Sequence, residues 1–281
     1  VSRICREETM IVYASPYLNL RQIAASGQCF RMRETGDGVF EIISGTRFLR
    51  VCQQKDVCRF FCGEGEFEEY WKKYFDLETD YRVFLEKIDP EDHYLRRAAE
   101  RGKGIRILRQ DFFEMIVTFL ISQQNNIRRI RRCIENLCSR YGKSCRTPEG
   151  AVYFGFPEPG ALAAASAEEL RECNLGYRGK YVQAAAAAVA GGNFPLAPLR
   201  DMDAQTAEEK LRELCGVGTK VAACIALFGL HRLEAFPVDT HIRQALERHY
   251  PQGFPEKYRD FHGVLQQYMF YGELFPDPED G

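Results

Sequence analysis

Leu214-Cys215-Gly216-Val217-Gly218-Thr219-Lys220-Val221-Ala222, followed by Phe236-Pro237-Val238-Asp239-Thr240-His241, is the stretch on which the reading of this chain turns. Ahead of it, Thr206-Ala207-Glu208-Glu209 precedes Leu211 and Leu214 in the pattern of a capping box that opens a helix. That helix has to end at the glycines, and Thr219 to Leu230 begins the next. The order helix, Gly-x-Gly turn, helix is a helix-hairpin-helix over about residues 206–230. Two glycines with one residue between them let the backbone pass close to a phosphate, and the helix starting at Thr219 points its free N–H groups the same way.

A Gly-x-Gly turn alone is a common tight connection. Lys220 gives this one chemical content. A cation in the first turn of a helix opposes the macrodipole, so the position calls for a compensating reason. The neutral form of an amine held there can attack carbon. An amine that attacks the anomeric carbon of a sugar expels the base and leaves a Schiff base. Asp239 is then the carboxylate that stabilises positive charge developing on the sugar and assists the lysine. The same two residues are open to reading as a salt bridge that closes two helices. Asp239 is also a candidate N-cap for a helix from Thr240 to Arg248, a role compatible with chemistry if only one carboxylate oxygen caps. His241, at the same helix start, is either a phosphate contact or a packed histidine.

The chain has 281 residues, 45% of them hydrophobic, enough for a substantial core. No run of about 18 apolar residues predicts a membrane span, and the charged start Val1 to Glu8 does not resemble a signal peptide. The expected setting is therefore the cytoplasm or nucleoid of a prokaryote or the nucleus of a eukaryote. Eleven cysteines without a C-x-x-C pair read as reduced core thiols, and no compact four-cysteine run follows the hairpin to hold an iron–sulfur cluster. A net charge of −2 and a pI near 6.3 argue against binding nucleic acid through bulk charge. Between Arg101 and Arg146, however, basic residues far outnumber Asp111, Glu114 and Glu135. Such a run is either a solvated helix face or a polyanion contact.

Strand-like stretches open the chain at 11–13, 28–32, 39–43, 48–51 and 57–61, with Gly36-Asp37-Gly38 as a hairpin turn. From Phe67 onward the apolar spacing is helical, including Asp111 to about Gln124, and Ser166-Ala167-Glu168-Glu169 is a second capping box. The fold class is α+β: an N-terminal antiparallel sheet over residues 1–80 packed on an α-helical body over 81–281.

With these residues in view, the hairpin and its aspartate resemble the helix-hairpin-helix glycosylases with a Gly/Pro-rich loop, in the 8-oxoguanine DNA glycosylase/AP lyase branch. Ser26-Gly27-Gln28-Cys29-Phe30-Arg31, Leu108-Arg109-Gln110-Asp111, Ser122-Gln123-Gln124-Asn125-Asn126-Ile127 and Asn174-Leu175-Gly176-Tyr177-Arg178 are similar to that branch in the same order along the chain. The hairpin alone also fits endonuclease III-like enzymes. The resemblance implies a TATA-binding-protein-like sheet domain and a bifunctional glycosylase and lyase acting as a monomer on double-stranded DNA that contains 8-oxoguanine. It makes Lys220 the nucleophile and Asp239 its partner. It puts the carbonyl of Gly27 against the hydrogen that distinguishes 8-oxoguanine from guanine, Cys224 and Phe270 on the two faces of the flipped base, and Gln266 on its Watson–Crick edge. Gln266 and Phe270, four apart in a helix expected over 257–274, share a face.

Extruding a base leaves a hole and an orphan partner. By the resemblance Asn125 or Gln124 fills the gap, Tyr177 wedges beside the orphan base, and Arg178 and Arg129 hydrogen-bond it, as suits an unpaired cytosine. Gln124 stands where the branch commonly has a third asparagine. The amides of Gly216, Gly218 and Val221, with His241, would hold the DNA backbone. No cofactor is implied beyond a structural cation on hairpin carbonyls, without side-chain ligands. The competing expectations are a glycosylase for another oxidised base and a non-catalytic helix-hairpin-helix DNA-binding module.

Overall fold

Five short strands come first, and those over 39–44, 47–54 and 57–61 alternate buried with more exposed side chains, so the sheet can cover a core with one face. In the computed structural model, which describes residues 10–276, these are β1 (Met10–Ala14), β2 (Met32–Gly36), β3 (Val39–Ser44), β4 (Arg47–Gln54) and β5 (Val57–Phe61). They form one antiparallel sheet in the order β1-β5-β4-β3-β2. Phe40 and Ile42 of β3, Leu49 and Val51 of β4, and Cys58 and Phe60 of β5 face inward. They pack in one cluster with Trp71 and Tyr74 from the helical stretch 64–74, whose middle, Phe67–Trp71, is a π turn, and with Phe75 that caps its end.

A second, larger core belongs to the helices. Phe112–Ser122 and Thr219–Gly229 run through it, the first with nearly every residue buried and the second buried from Val221 onward. The C-terminal helix, His262–Leu274, lies against His93–Gly102 and Thr240–His249. The two cores are tied by buried polar groups. Arg106, 2% exposed, donates to the carbonyls of Phe75, Tyr17, Asp76 and Thr79. Asp76 accepts from Arg109 at 2.9 Å and from Tyr81 at 3.1 Å, and His231, just past the hairpin helix, lies 3.4 Å from it. Burial pushes the Asp76 carboxyl up, but His231 and Arg109 together hold it below its ordinary range.

The hairpin turn at Gly36-Asp37-Gly38 and the box at Ser166 and Glu169 form as the sequence implies. The strand expected over 28–32 does not. Residues 28–31 are loop, β2 starts at Met32, and a short helix, Leu20–Ala25, capped by Asn19, precedes them. Gln28 is fully buried and bonds to backbone from inside the protein, which replaces a strand ladder there. The capping box expected at Thr206 is also absent. Asp203 is the cap and accepts from both N and Oγ1 of Thr206. A carboxylate three residues earlier is the stronger acceptor for free N–H groups at the positive end of a helix. Nor is the body wholly helical. β6 (Ser144–Arg146) and β7 (Val152–Phe154) form a hairpin that docks on the turn between β3 and β4. There Tyr153 donates to Thr46 at 2.7 Å and the Phe156 N–H to Gly45 at 3.2 Å.

Ten cysteines lie among the described residues, none bridged and seven of them buried; Cys5 falls outside those residues. Burial pushes the Cys58 and Cys138 thiols up to about 12, which keeps them as unreactive thiols. Burial likewise pushes the Glu114 carboxyl, at the start of Phe112–Ser122, up to about 7 against the pull of the Arg31 guanidinium. A carboxyl raised in the folded state binds more protons there than in the unfolded chain. Its contribution to stability is present at pH values below its ordinary 4.5 and is lost as pH rises toward about 7. Urea unfolding should therefore show lower stability at pH 8 than at pH 5, by a contribution from this group on the order of 3 kcal/mol. Glu114→Gln is expected to flatten that difference, and an unchanged difference would refute the assignment.

Candidate active site

The turn between Ala204–Leu211 and Thr219–Gly229 is shaped by what lies beneath it. Gly216 has φ +86°, and a Cβ there would stand 2.4 Å from the ring of Tyr181. Glycine is required for both its conformation and its size. Gly216→Ala is expected to cost about 2–4 kcal/mol and to weaken DNA binding by displacing the turn; thermal melting and a binding titration check both. Gly218 is the helix N-cap in extended conformation and makes no side-chain cap bond. The first intrahelical bond runs from Ala222 N–H to Gly218, which leaves the N–H groups of Thr219, Lys220 and Val221 without intrahelical partners. They are free to meet an anion outside the hairpin.

Lys220 is half-buried over an apolar floor, with Nζ 5.9 Å from the ring centre of Phe119. Phe119 is itself stacked on Phe228. One helical turn beyond the lysine, Cys224 is buried, and burial raises its thiol while the neighbouring Lys220 ammonium pulls it down and Asp239 pushes it up. Lys220 and Asp239 therefore both lie within electrostatic reach of Cys224. Asp239 caps Thr240–His249, its Oδ1 accepting from Ile242 N–H at 2.9 Å, and its other oxygen has no hydrogen-bond partner among the described residues. Among those residues no ion pair within 4.0 Å joins Lys220 to Asp239, so the pair is held by its helices and not by a salt bridge. One oxygen caps while the other is available for chemistry.

The N-terminal loop reaches the same place. Gly27 has φ +74°, and a Cβ on it would lie 3.2 Å from the ring of Phe270. The His241 ring, exposed at the helix start, stands edge-on to Phe270 at 6.0 Å. Gln266, one turn before Phe270, is 3% exposed and donates to the Pro237 carbonyl at 3.1 Å, just ahead of Asp239. Gly27, Gln266, Phe270, His241 and the aspartate loop thus meet, although the chain brings them from both ends.

A second group surrounds Gln124, which is exposed with φ +46°. Tyr177, 48% exposed, donates to Gln124 Oε1 at 3.4 Å, and the Arg178 guanidinium lies 4.5 Å from the Tyr177 ring centre. Asn125 donates to the Ile121 carbonyl, and Arg129 is exposed in the first turn of Ile127–Tyr141. Arg178 is buried beneath the turn, donating to the carbonyls of Gln123 at 2.7 Å and Gln124 at 2.8 Å. It props up the turn in this structure. Sequence reasoning missed Phe119 and Tyr181, which apolar and aromatic spacing marks only as core, and the buried amides Gln28 and Gln267.

Comparisons with known proteins find similar sequences and folds over most of the chain. A family model described as 8-oxoguanine DNA glycosylase, N-terminal domain, matches residues 10–116, and one described as HhH-GPD superfamily base excision DNA repair protein matches residues 117–259. The N-glycosylase/DNA lyase OGG1 of Arabidopsis thaliana is 31% identical over 276 residues, covering 89% of this chain and 75% of the plant protein. MBOgg1, solved in complex with a low affinity DNA ligand, superposes with a TM-score of 0.87 at 32% identity over 96% of each chain. The 8-oxoguanine glycosylase/lyase of Clostridium acetobutylicum, solved with double-stranded DNA containing cytosine opposite 8-oxoguanine, gives 0.85 at 30% identity over 93% of this chain and 96% of that one. With family models matched over residues 10–259 and a relative 31% identical over most of its length, the chain belongs to the 8-oxoguanine DNA glycosylase family of helix-hairpin-helix base excision repair proteins.

Proposed function

We propose that this chain excises 8-oxoguanine from duplex DNA and then nicks the resulting abasic site. The observation that carries this reading is the placement of Lys220 in the first turn of the hairpin helix, half-buried over Phe119, with Asp239 capping the helix that follows through one oxygen and leaving the other uncommitted. The Lys220 Nζ lone pair bonds to the sugar C1′ as the bond to the base breaks, and the departing base takes that electron pair and a proton. The free Asp239 oxygen faces the positive charge that develops on the sugar. Loss of a nitrogen proton with ring opening gives a Schiff base. Removal of a C2′ proton then expels the 3′ phosphate.

The base is presented by flipping. Phe270 and Cys224 cover its faces, the Gly27 carbonyl and Gln266 read its edges, and the amides of Gly216, Gly218 and Val221, with His241, hold the backbone. Asn125, or Gln124 before it, fills the gap that the flipped base leaves, Tyr177 wedges beside the orphan base of the opposite strand, and Arg129 and Arg178 meet that base, Arg178 through the Gln124 turn that it supports. All of these residues belong to one chain, so a monomer suffices. Among the described residues no group of three or more His, Cys, Asp or Glu side chains is placed to hold a metal. A bracing cation would find only hairpin carbonyls, of which that of Leu214 already accepts from Val217 N–H, and no step above depends on one.

A cleavage assay on duplexes with 8-oxoguanine opposite each normal base tests the reading, with excision strongest opposite cytosine as the expected result. Excision of only another oxidised base, or binding without excision, would overturn it.

A further inference from the structure

Three glutamines link the two ends of the base pocket through the interior. Gln28, fully buried, donates its two Nε2 protons to the Arg106 carbonyl at 3.0 Å and Ser26 Oγ at 2.9 Å, and one of them is shared with Gln267 Oε1 at 3.5 Å. Gln267, 3% exposed, donates to Gln266 Oε1 at 3.1 Å, and Gln266 donates to the Pro237 carbonyl at 3.1 Å. The Leu108 N–H donates to Gln28 Oε1 at 2.9 Å, and Gln110 donates to the Gln28 carbonyl at 2.8 Å.

Both ends of this chain have fixed polarity. The carbonyls of Pro237 and Arg106 can only accept and the Leu108 N–H can only donate, so the amide of Gln28 and that of Gln266 each fit one way round. Gln267 joins them, and its own amide can satisfy both neighbours in one orientation alone. A glutamine with only one hydrogen-bond partner could turn over and exchange its donor and acceptor. Gln266 cannot do so without losing two bonds in a place closed to water. It therefore offers the pocket its second N–H and the remaining acceptor capacity of its oxygen in a set arrangement. A guanine-type edge, with O6 as acceptor and N2–H2 as donor, is told from an adenine-type edge by such an arrangement. At the other end, bonds to Gln28 and Ser26 hold both neighbours of Gly27, and with them the direction of its carbonyl.

We propose that Gln28 and Gln267 are positioning residues for base choice: a directed relay of three buried amides sets the orientation of Gln266 and holds the Gly27 loop. The proposal rests on the functional reading above for the place where the base sits, but not for which base it is. It is tested by measuring kcat and KM for lesion excision and, separately, nicking of a preformed abasic site, which needs Lys220 and Asp239 but no base reading. Gln267→Met, similar in volume and without hydrogen-bonding groups, should lower kcat/KM for lesion excision roughly tenfold while abasic-site nicking stays within about twofold. Gln267→Glu, whose carboxylate cannot donate to Gln266, should lose more. Gln267→Asn, one methylene shorter, breaks the relay with an amide still present and carries the same test if the methionine variant does not fold. An equal loss in both assays, or no loss in excision, overturns the relay. A panel of single-lesion duplexes keeps the two ideas apart: if the wild type removes a base other than 8-oxoguanine, the functional reading fails, and the relay is judged on the base that it does remove.

Discussion

Lys220→Gln is expected to abolish both excision and strand nicking, by roughly 10⁴-fold or more, because it removes the atom that bonds to the sugar. The fold should survive the change. Lys220 is half-buried, makes no ion pair within 4.0 Å among the described residues and touches the ring of Phe119 only at 5.9 Å. The thermal midpoint of the variant should stay within a few degrees of wild type, and binding to a lesion duplex should persist through the hairpin amides, which are backbone groups. A variant that still nicks abasic sites at the wild-type rate would show that another group is the nucleophile.

Asp239→Asn separates charge from structure. Asparagine is as good an N-cap as aspartate, so its side-chain oxygen can still accept from Ile242 and Thr240–His249 should keep its start. What disappears is the negative charge facing the sugar. A loss of about 10²–10³-fold in excision is expected, with the melting temperature nearly unchanged. Asp239→Ala removes the cap as well and should add about 1 kcal/mol of destabilisation. If the asparagine variant retained wild-type excision while the alanine variant lost both activity and stability, Asp239 would be a cap alone.

The contrast between these residues and the rest of the site shows what the sequence makes legible. Gly216, Gly218, Lys220 and Asp239 are read from local signals, glycine turns and helix starts, within one short stretch; in the structure Gly216 has a positive φ, Gly218 and Asp239 are N-caps, and Lys220 stands in a first helical turn. The sheet was legible from alternation, except at 28–31, where Gln28 points into the protein and spends its amide on backbone. No local pattern announces that. Gln28 and Gln267 are 239 residues apart, and a single chain carries no periodic signal for such a contact. The β6–β7 hairpin was missed for a related reason: two three-residue strands are too short for alternation to register, and their docking on Gly45 and Thr46 is tertiary. Gly27, Gln266 and Phe270 were reachable only through family resemblance. Asp203 was overlooked because Thr206 and Glu209 offered a familiar box three residues too late.

The central claim is a covalent bond between this lysine and DNA. Incubation of the wild-type protein with an 8-oxoguanine:cytosine duplex and borohydride, followed by proteolysis and mass spectrometry of the cross-linked peptide, addresses it directly. The account predicts a stable adduct on the peptide containing Thr219-Lys220-Val221, absent from Lys220→Gln. No adduct with wild type, or an adduct on a different residue, would contradict it.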